Sequence, residues 1–190
     1  MYFKLRGTQV AVSPVFLAAL GLFLLWDRTG LGGQMVLAAA LHELGHLLVM
    51  GAWGEAPAEL SFHCFGVRIT RAGGRLLPWR REALLYAAGP AVNLLFAAAA
   101  WGWGRPGTAA VHLVLGVFNL LPAGALDGGR LIALLLDRRL SPGASRRAQR
   151  VLCALTAAGL LSAAFFAGSG PGRASLTVTT LYLLWTGWRE

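Results

Sequence analysis

The chain has 190 residues, 56% hydrophobic and only 13% charged, with a mean hydropathy of +0.60. Soluble domains carry about a quarter charged residues, so the charge here is too sparse to cover a water-exposed surface. A formal net charge of +9 would suit nucleic acid. The arginines, however, fall in short clusters between long apolar runs, which argues against a nucleic-acid face and for a partner that is the lipid bilayer.

A hydrocarbon core of about 30 Å needs roughly 20 apolar residues in a helix. Six stretches meet or approach this length: 10–26, 34–53, 82–103, 108–120 continuing brokenly to 136, 150–167 and 174–188. The first is followed by Asp27-Arg28-Thr29-Gly30 and not by a small-residue cleavage site, so it reads as a span and not as a signal peptide. Between the second and third stretches, residues 60–65 and 67–71 read as two short strands about Gly66, ended by Gly73-Gly74. Such a hairpin either is simply solvated or offers backbone groups to an extended peptide. Pro122 and three glycines near Asp127 predict a break in the fourth span. Trp26, Trp53, Trp101, Trp103, Trp185 and Trp188 mark span ends as interfacial anchors. Cys64 and Cys153 lack metal-ligand spacing and read as unpaired thiols.

Basic residues orient the spans. Lys4, Arg6, Arg68, Arg71, Arg75, Arg80, Arg81, Arg138, Arg139, Arg146, Arg147, Arg150 and Arg189 fall on one side, and Arg28, Arg105 and Arg173 on the other. By the positive-inside rule both termini are cytoplasmic. The expectation is an all-α membrane protein of six transmembrane helices, N-in and C-in. It has a small β-hairpin between helices 2 and 3, a broken helix 4 and a single domain over 1–190.

Ionisable groups inside a span cost roughly 3 kcal/mol each on insertion scales, so each needs a reason. The second span holds His42-Glu43-Leu44-Gly45-His46. Histidines four apart share a helix face and can hold one zinc ion, with Glu43 placed as general base. Zinc lowers the pKa of a bound water to about 7, which makes hydroxide available at neutral pH. A catalytic zinc takes three protein ligands and keeps one open position. Asp27, Glu55, Glu59, Asp137 and Glu190 lie at span ends or in loops, and Glu82 starts span three. Asp127 alone is an acid in membrane-embedded sequence outside the second span. Broken backbone at membrane depth is tolerated only in a protein-buried or wet setting, which suits a ligand. His42, His46 and Asp127 all fall on the cytoplasmic side of the midplane.

His42-Glu43-Leu44-Gly45-His46, Ala88-Gly89-Pro90-Ala91-Val92-Asn93, and Asn119-Leu120-Leu121-Pro122 leading into Leu126-Asp127-Gly128 resemble, in order, the motifs of the site-2 intramembrane metalloproteases. The short first loop and the run from Asn119 to Arg130 are most similar to the stage IV sporulation branch, which cleaves a membrane-tethered pro-sigma factor. The resemblance implies a peptide hydrolase of the intramembrane zinc metalloendopeptidase type. One Zn2+ per chain would be held by His42, His46 and Asp127, with Glu43 as catalytic base.

It implies that Asn119 orients substrate or the oxyanion; the alternative is that its amide satisfies backbone freed near Pro122. It further implies a transmembrane or membrane-tethered protein substrate, a membrane inhibitor or regulator, and location in a bacterial cell or forespore-surrounding membrane. That branch usually continues into a nucleotide-sensing domain of the cystathionine-β-synthase type, which these residues do not contain, nor is a PDZ-like insert read in them. Pro90 and Asn93 read as residues that pack helices or re-satisfy the backbone, His63 as a loop residue and His112 as a span-end polar group. A zinc transporter or metal-stabilised scaffold is the rival reading, because intramembrane His and Asp also line ion pathways.

Overall fold

The computed structural model describes residues 1–5, 7–55, 57–63, 66–71, 77–124, 126–166 and 170–189. Arg6, Cys64, Gly73, Gly74, Arg75 and Glu190 lie outside the described residues. The chain divides into two compact units, Met1–Gly116 and Val117–Glu190.

The first unit opens with a hairpin that the sequence reading does not anticipate. Strands β1 (Tyr2–Leu5) and β2 (Thr8–Val12) pair antiparallel about Gly7, whose φ of 91° suits a residue without a Cβ. The expected first span from residue 10 therefore starts too early. Val10, Ala11 and Val12 belong to β2, and helix α1 runs only from Pro14 to Trp26. Pro14 has no N–H to donate and is favoured at the first helical position, so the helix begins there. Only Ser13 separates the apolar strand from the apolar helix, so hydropathy averaged over a span does not register the boundary.

Helix α2 (Leu31–Ala52) follows, and then β3 (Pro57–His63) pairs parallel with β2 and antiparallel with β4 (Gly66–Arg71). The result is a four-stranded sheet in the order β1-β2-β3-β4, larger than the expected hairpin. The class is mainly helical with a small sheet, and not all-α with one hairpin. Helix α3 (Trp79–Gly102) and helix α4 (Pro106–Asn119) complete this part of the chain.

Two features fix α2. The Asp27 carboxylate caps it, with Oδ2 accepting from the Gly32 N–H at 2.6 Å and Oδ1 from the Thr29 N–H at 2.9 Å and hydroxyl at 2.6 Å. Along its length Ala38, His42, Gly45, His46 and Met50 are buried, a single stripe of helical spacing. The facing stripe on α3 is Leu85, Gly89, Asn93, Ala97 and Ala100. Small residues let the two backbones approach: a Cβ on Gly45 would lie 2.9 Å from the Ala88 carbonyl oxygen. Met50, Leu77 and Leu85 close the end near the sheet, with Val49, Trp53 and Ile69 against them.

In the second unit the chain leaves α4, turns, and re-enters helix as α5 (Asp127–Asp137), then α6 (Pro142–Phe166) and α7 (Pro171–Arg189). The expected break is present. Tight turns at Leu120, Leu121 and Ala123 lie directly on the start of α5, where a Cβ on Gly128 or Gly129 would overlap the backbone of Leu120 or Ala123. Ala123, Cys153 and Leu183 form the core of this unit, with Phe118, Leu126, Leu160 and Tyr182 around it. The Ser145 hydroxyl donates to Asp137 Oδ1 at 2.5 Å and ties α6 to the end of α5.

α2, α3 and α6 are long and apolar enough to cross a membrane, whereas α1 and α4 are shorter apolar helices. Their outward faces carry large apolar side chains, with Leu25 and Trp26 85% and 86% exposed. Such a surface suits lipid and not water.

Candidate metal and catalytic site

His42 and His46 are one helical turn apart on the buried stripe of α2, 5% and 8% exposed. Their rings meet edge to face, with centroids 5.0 Å apart and an interplanar angle of 78°. The two Nε2 atoms are 3.3 Å apart. Two imidazole nitrogens bound to one tetrahedral zinc at about 2.0–2.1 Å lie about 3.4 Å from each other, so this pair fits the ion without moving.

The outer nitrogens are held as well. His46 Nδ1 lies 2.8 Å from the carbonyl oxygen of Leu85. A carbonyl only accepts, so Nδ1 carries the proton and the lone pair of His46 resides on Nε2. His42 Nδ1 lies 3.2 Å from the side-chain amide of Asn93. Gly89 faces both Nε2 atoms. A Cβ there would lie 2.6 Å from Nε2 of His42 and closer still to Nε2 of His46. The position thus keeps open the volume in front of the donor atoms.

Glu43 is half-buried on α2 between the histidines. A carboxylate there can move a proton within reach of the same face. In the second unit, Asn119 is the last residue of α4 and Asp127 the first of α5, at opposite ends of the turn, both half-buried. Asp127 therefore sits at a helix N-terminus, where the dipole favours the carboxylate anion. The paired glycines after it hold it there by letting the turn pack down. His63 ends β3 and is exposed, apart from this chemistry.

Two buried residues, His112 and Asn93, differ from the sequence expectation. His112 is no span-end group: it is 3% exposed within α4, stacked on Phe96 at 5.3 Å. Its Nδ1 lies 3.1 Å from Asn93 Oδ1, so Asn93 bridges His112 and His42 and does more than pack helices. The available signal was the small residues Ala109 and Gly116, which flank His112 at helical spacing and mark a buried stripe.

Residues 107–163 match the model of peptidase family M50. The protein Rip3 of Mycobacterium tuberculosis, assigned as a zinc metalloprotease, is 33% identical over 187 residues in two strains. That alignment covers 84% of this chain and 44% of Rip3. The chain thus spans less than half the length of the curated relatives it matches. The site-2 protease from Methanocaldococcus jannaschii has a similar fold, with a TM-score of 0.71 at 19% identity. It covers 100% of this chain and 94% of its own.

Proposed function

We propose that this chain, which matches peptidase family M50 over residues 107–163, is 33% identical to Rip3 and shares the fold of a site-2 protease, is an intramembrane zinc metalloprotease. One observation carries the proposal: two buried histidines with Nε2 atoms 3.3 Å apart, in front of a glycine that leaves room for an ion. In this reading two imidazoles and a carboxylate, from His42, His46 and Asp127, are the donors for one zinc ion per chain. When bound, zinc supplies Lewis acidity that polarises a peptide carbonyl and acidifies a water.

The remaining work falls to the chain. Glu43 takes the proton of the attacking water and returns it to the leaving amine. The Asn119 amide donates to the oxygen on which charge develops. The substrate is a transmembrane or membrane-tethered protein whose helix unwinds locally, because a closed helix hides its carbonyls. β4 is an edge strand and supports pairing with the extended segment.

Six spans, formed by α1, α2, α3, the broken pair α4–α5, α6 and α7, with both termini cytoplasmic, accord with the distribution of arginines. In this topology the site lies toward the cytoplasm. The narrower reading, processing of a pro-sigma factor in sporulation, rests on the short first loop and the pattern from Asn119 to Arg130.

The test is Glu43→Gln with a co-expressed tethered substrate. Loss of the general base lowers cleavage by about 10²–10⁴ while zinc stays bound. Undiminished cleavage would remove Glu43 from the mechanism. Zinc flux in proteoliposomes without proteolysis would replace the protease with a transporter.

A further inference from the structure

The Asn93 amide joins two imidazole rings inside the first unit. Its Nδ2 lies 3.2 Å from His42 Nδ1 and its Oδ1 lies 3.1 Å from His112 Nδ1. Asn93 is fully buried and His112 nearly so. A carboxamide has one donating and one accepting end, so the two Nδ1 atoms it bridges are in opposite states. One carries a proton and the other does not.

For His42 to offer a lone pair on Nε2, its proton must sit on Nδ1, and that proton needs the amide oxygen. The NH2 end then points at His112 Nδ1, which must be bare, with the His112 proton on Nε2. The placed amide has the opposite sense, and a half-turn of the side chain interchanges its ends at the same two positions. His46 has no such freedom, because its Nδ1 partner is a backbone carbonyl.

We propose that His112 is a positioning residue for His42. By accepting from Asn93 through a bare Nδ1, it holds the amide oxygen on His42 and so keeps the lone pair of His42 on Nε2. The proposal rests on the reading of His42 as a zinc ligand. The surroundings suit a fixed relay. Phe96 lies nearly parallel to the His112 ring, at 17°. Gly116 brings α4 against α3, where a Cβ would be 3.3 Å from Asn93 Cβ.

The experiment is zinc affinity of the full chain in detergent, measured by competition with a chromophoric chelator. Loss of an outer partner of a ligating histidine costs about 10–100-fold in affinity, and His112→Phe should do the same. His112→Gln, whose carbonyl also accepts, should stay within about threefold. Asn93→Asp accepts from His42 whatever faces it, so adding His112→Phe to that variant should cost less than about threefold. In ¹⁵N-histidine spectra of the zinc-loaded wild type, His112 should carry its proton on Nε2.

Wild-type affinity in a folded His112→Phe protein overturns the proposal, as does an Nδ1-protonated His112 in the zinc-loaded wild type. The spectra decide should the phenylalanine variant not fold. A wild type that binds no zinc overturns the reading of His42 as well. Zinc binding unaffected by His112→Phe defeats this inference alone.

Discussion

Gly89→Ala tests the site through a single methyl group. The added Cβ would lie 2.6 Å from His42 Nε2, about 1 Å inside the ordinary contact distance of roughly 3.5 Å. It would lie closer still to His46 Nε2. Overpacking by one methyl typically costs 1–3 kcal/mol, here directed at the donor atoms. At 1.4 kcal/mol per decade, that is about a 5- to 150-fold loss of zinc affinity. Helix propensity works the other way, since alanine favours a helix interior over glycine by about 1 kcal/mol. The fold should therefore survive.

The assay compares zinc affinity, cleavage of a tethered substrate and thermal midpoint for wild type, Gly89→Ala and Gly33→Ala. Gly33, on α2, has nothing within 4 Å of an added Cβ, so its variant should keep wild-type zinc affinity and cleavage, with a thermal midpoint no lower than wild type. Wild-type zinc affinity and cleavage in Gly89→Ala would refute the reasoning.

Gly128→Ala places a Cβ on the backbone of Leu120, where no flexible side chain can yield. It should destabilise the second unit by about 3 kcal/mol, the upper end of overpacking, read as a lower thermal midpoint. Asp27 lies outside the spans, and hydrogen bonds from the Thr29 hydroxyl, then from the Thr29 backbone N–H, hold its carboxyl below the usual range. A lowered folded pKa contributes stability that is present above the unfolded value of 3.8 and lost as pH falls through the folded one. Asp27→Ala should therefore melt below wild type at pH 6, and the gap between the two midpoints should narrow as pH falls below 3.8. A constant gap would show that the carboxylate charge has no part in capping α2.

Much of this was legible in the sequence because hydropathy and rare polar residues carry the signal in a membrane protein. His42 and His46 stand out on an apolar helix, and Pro122 with Gly128 and Gly129 announces the turn beside Asp127. The N-terminal hairpin was not legible, because Ser13 alone separates Val10, Ala11 and Val12 from apolar α1 and averaged hydropathy does not fall there. The β2–β3 pairing joins residues some 50 positions apart, such as Gln9 and Glu59, and local pattern carries no trace of it. The roles of Asn93 and His112 depend on which faces of α2, α3 and α4 meet. Each helix shows its own buried stripe, but the register between helices appears only in three dimensions.

The most direct test of the central claim is zinc stoichiometry and X-ray absorption on purified wild type, with affinity measured beside Asp127→Ala. One zinc per chain is expected, in a shell of two imidazole nitrogens with oxygen donors. Losing an outer partner costs about 10–100-fold, so losing the aspartate ligand should cost more than about a hundredfold. A shell without imidazole, or an Asp127→Ala protein that binds zinc as tightly as wild type, would contradict the assignment of His42, His46 and Asp127 as the metal site.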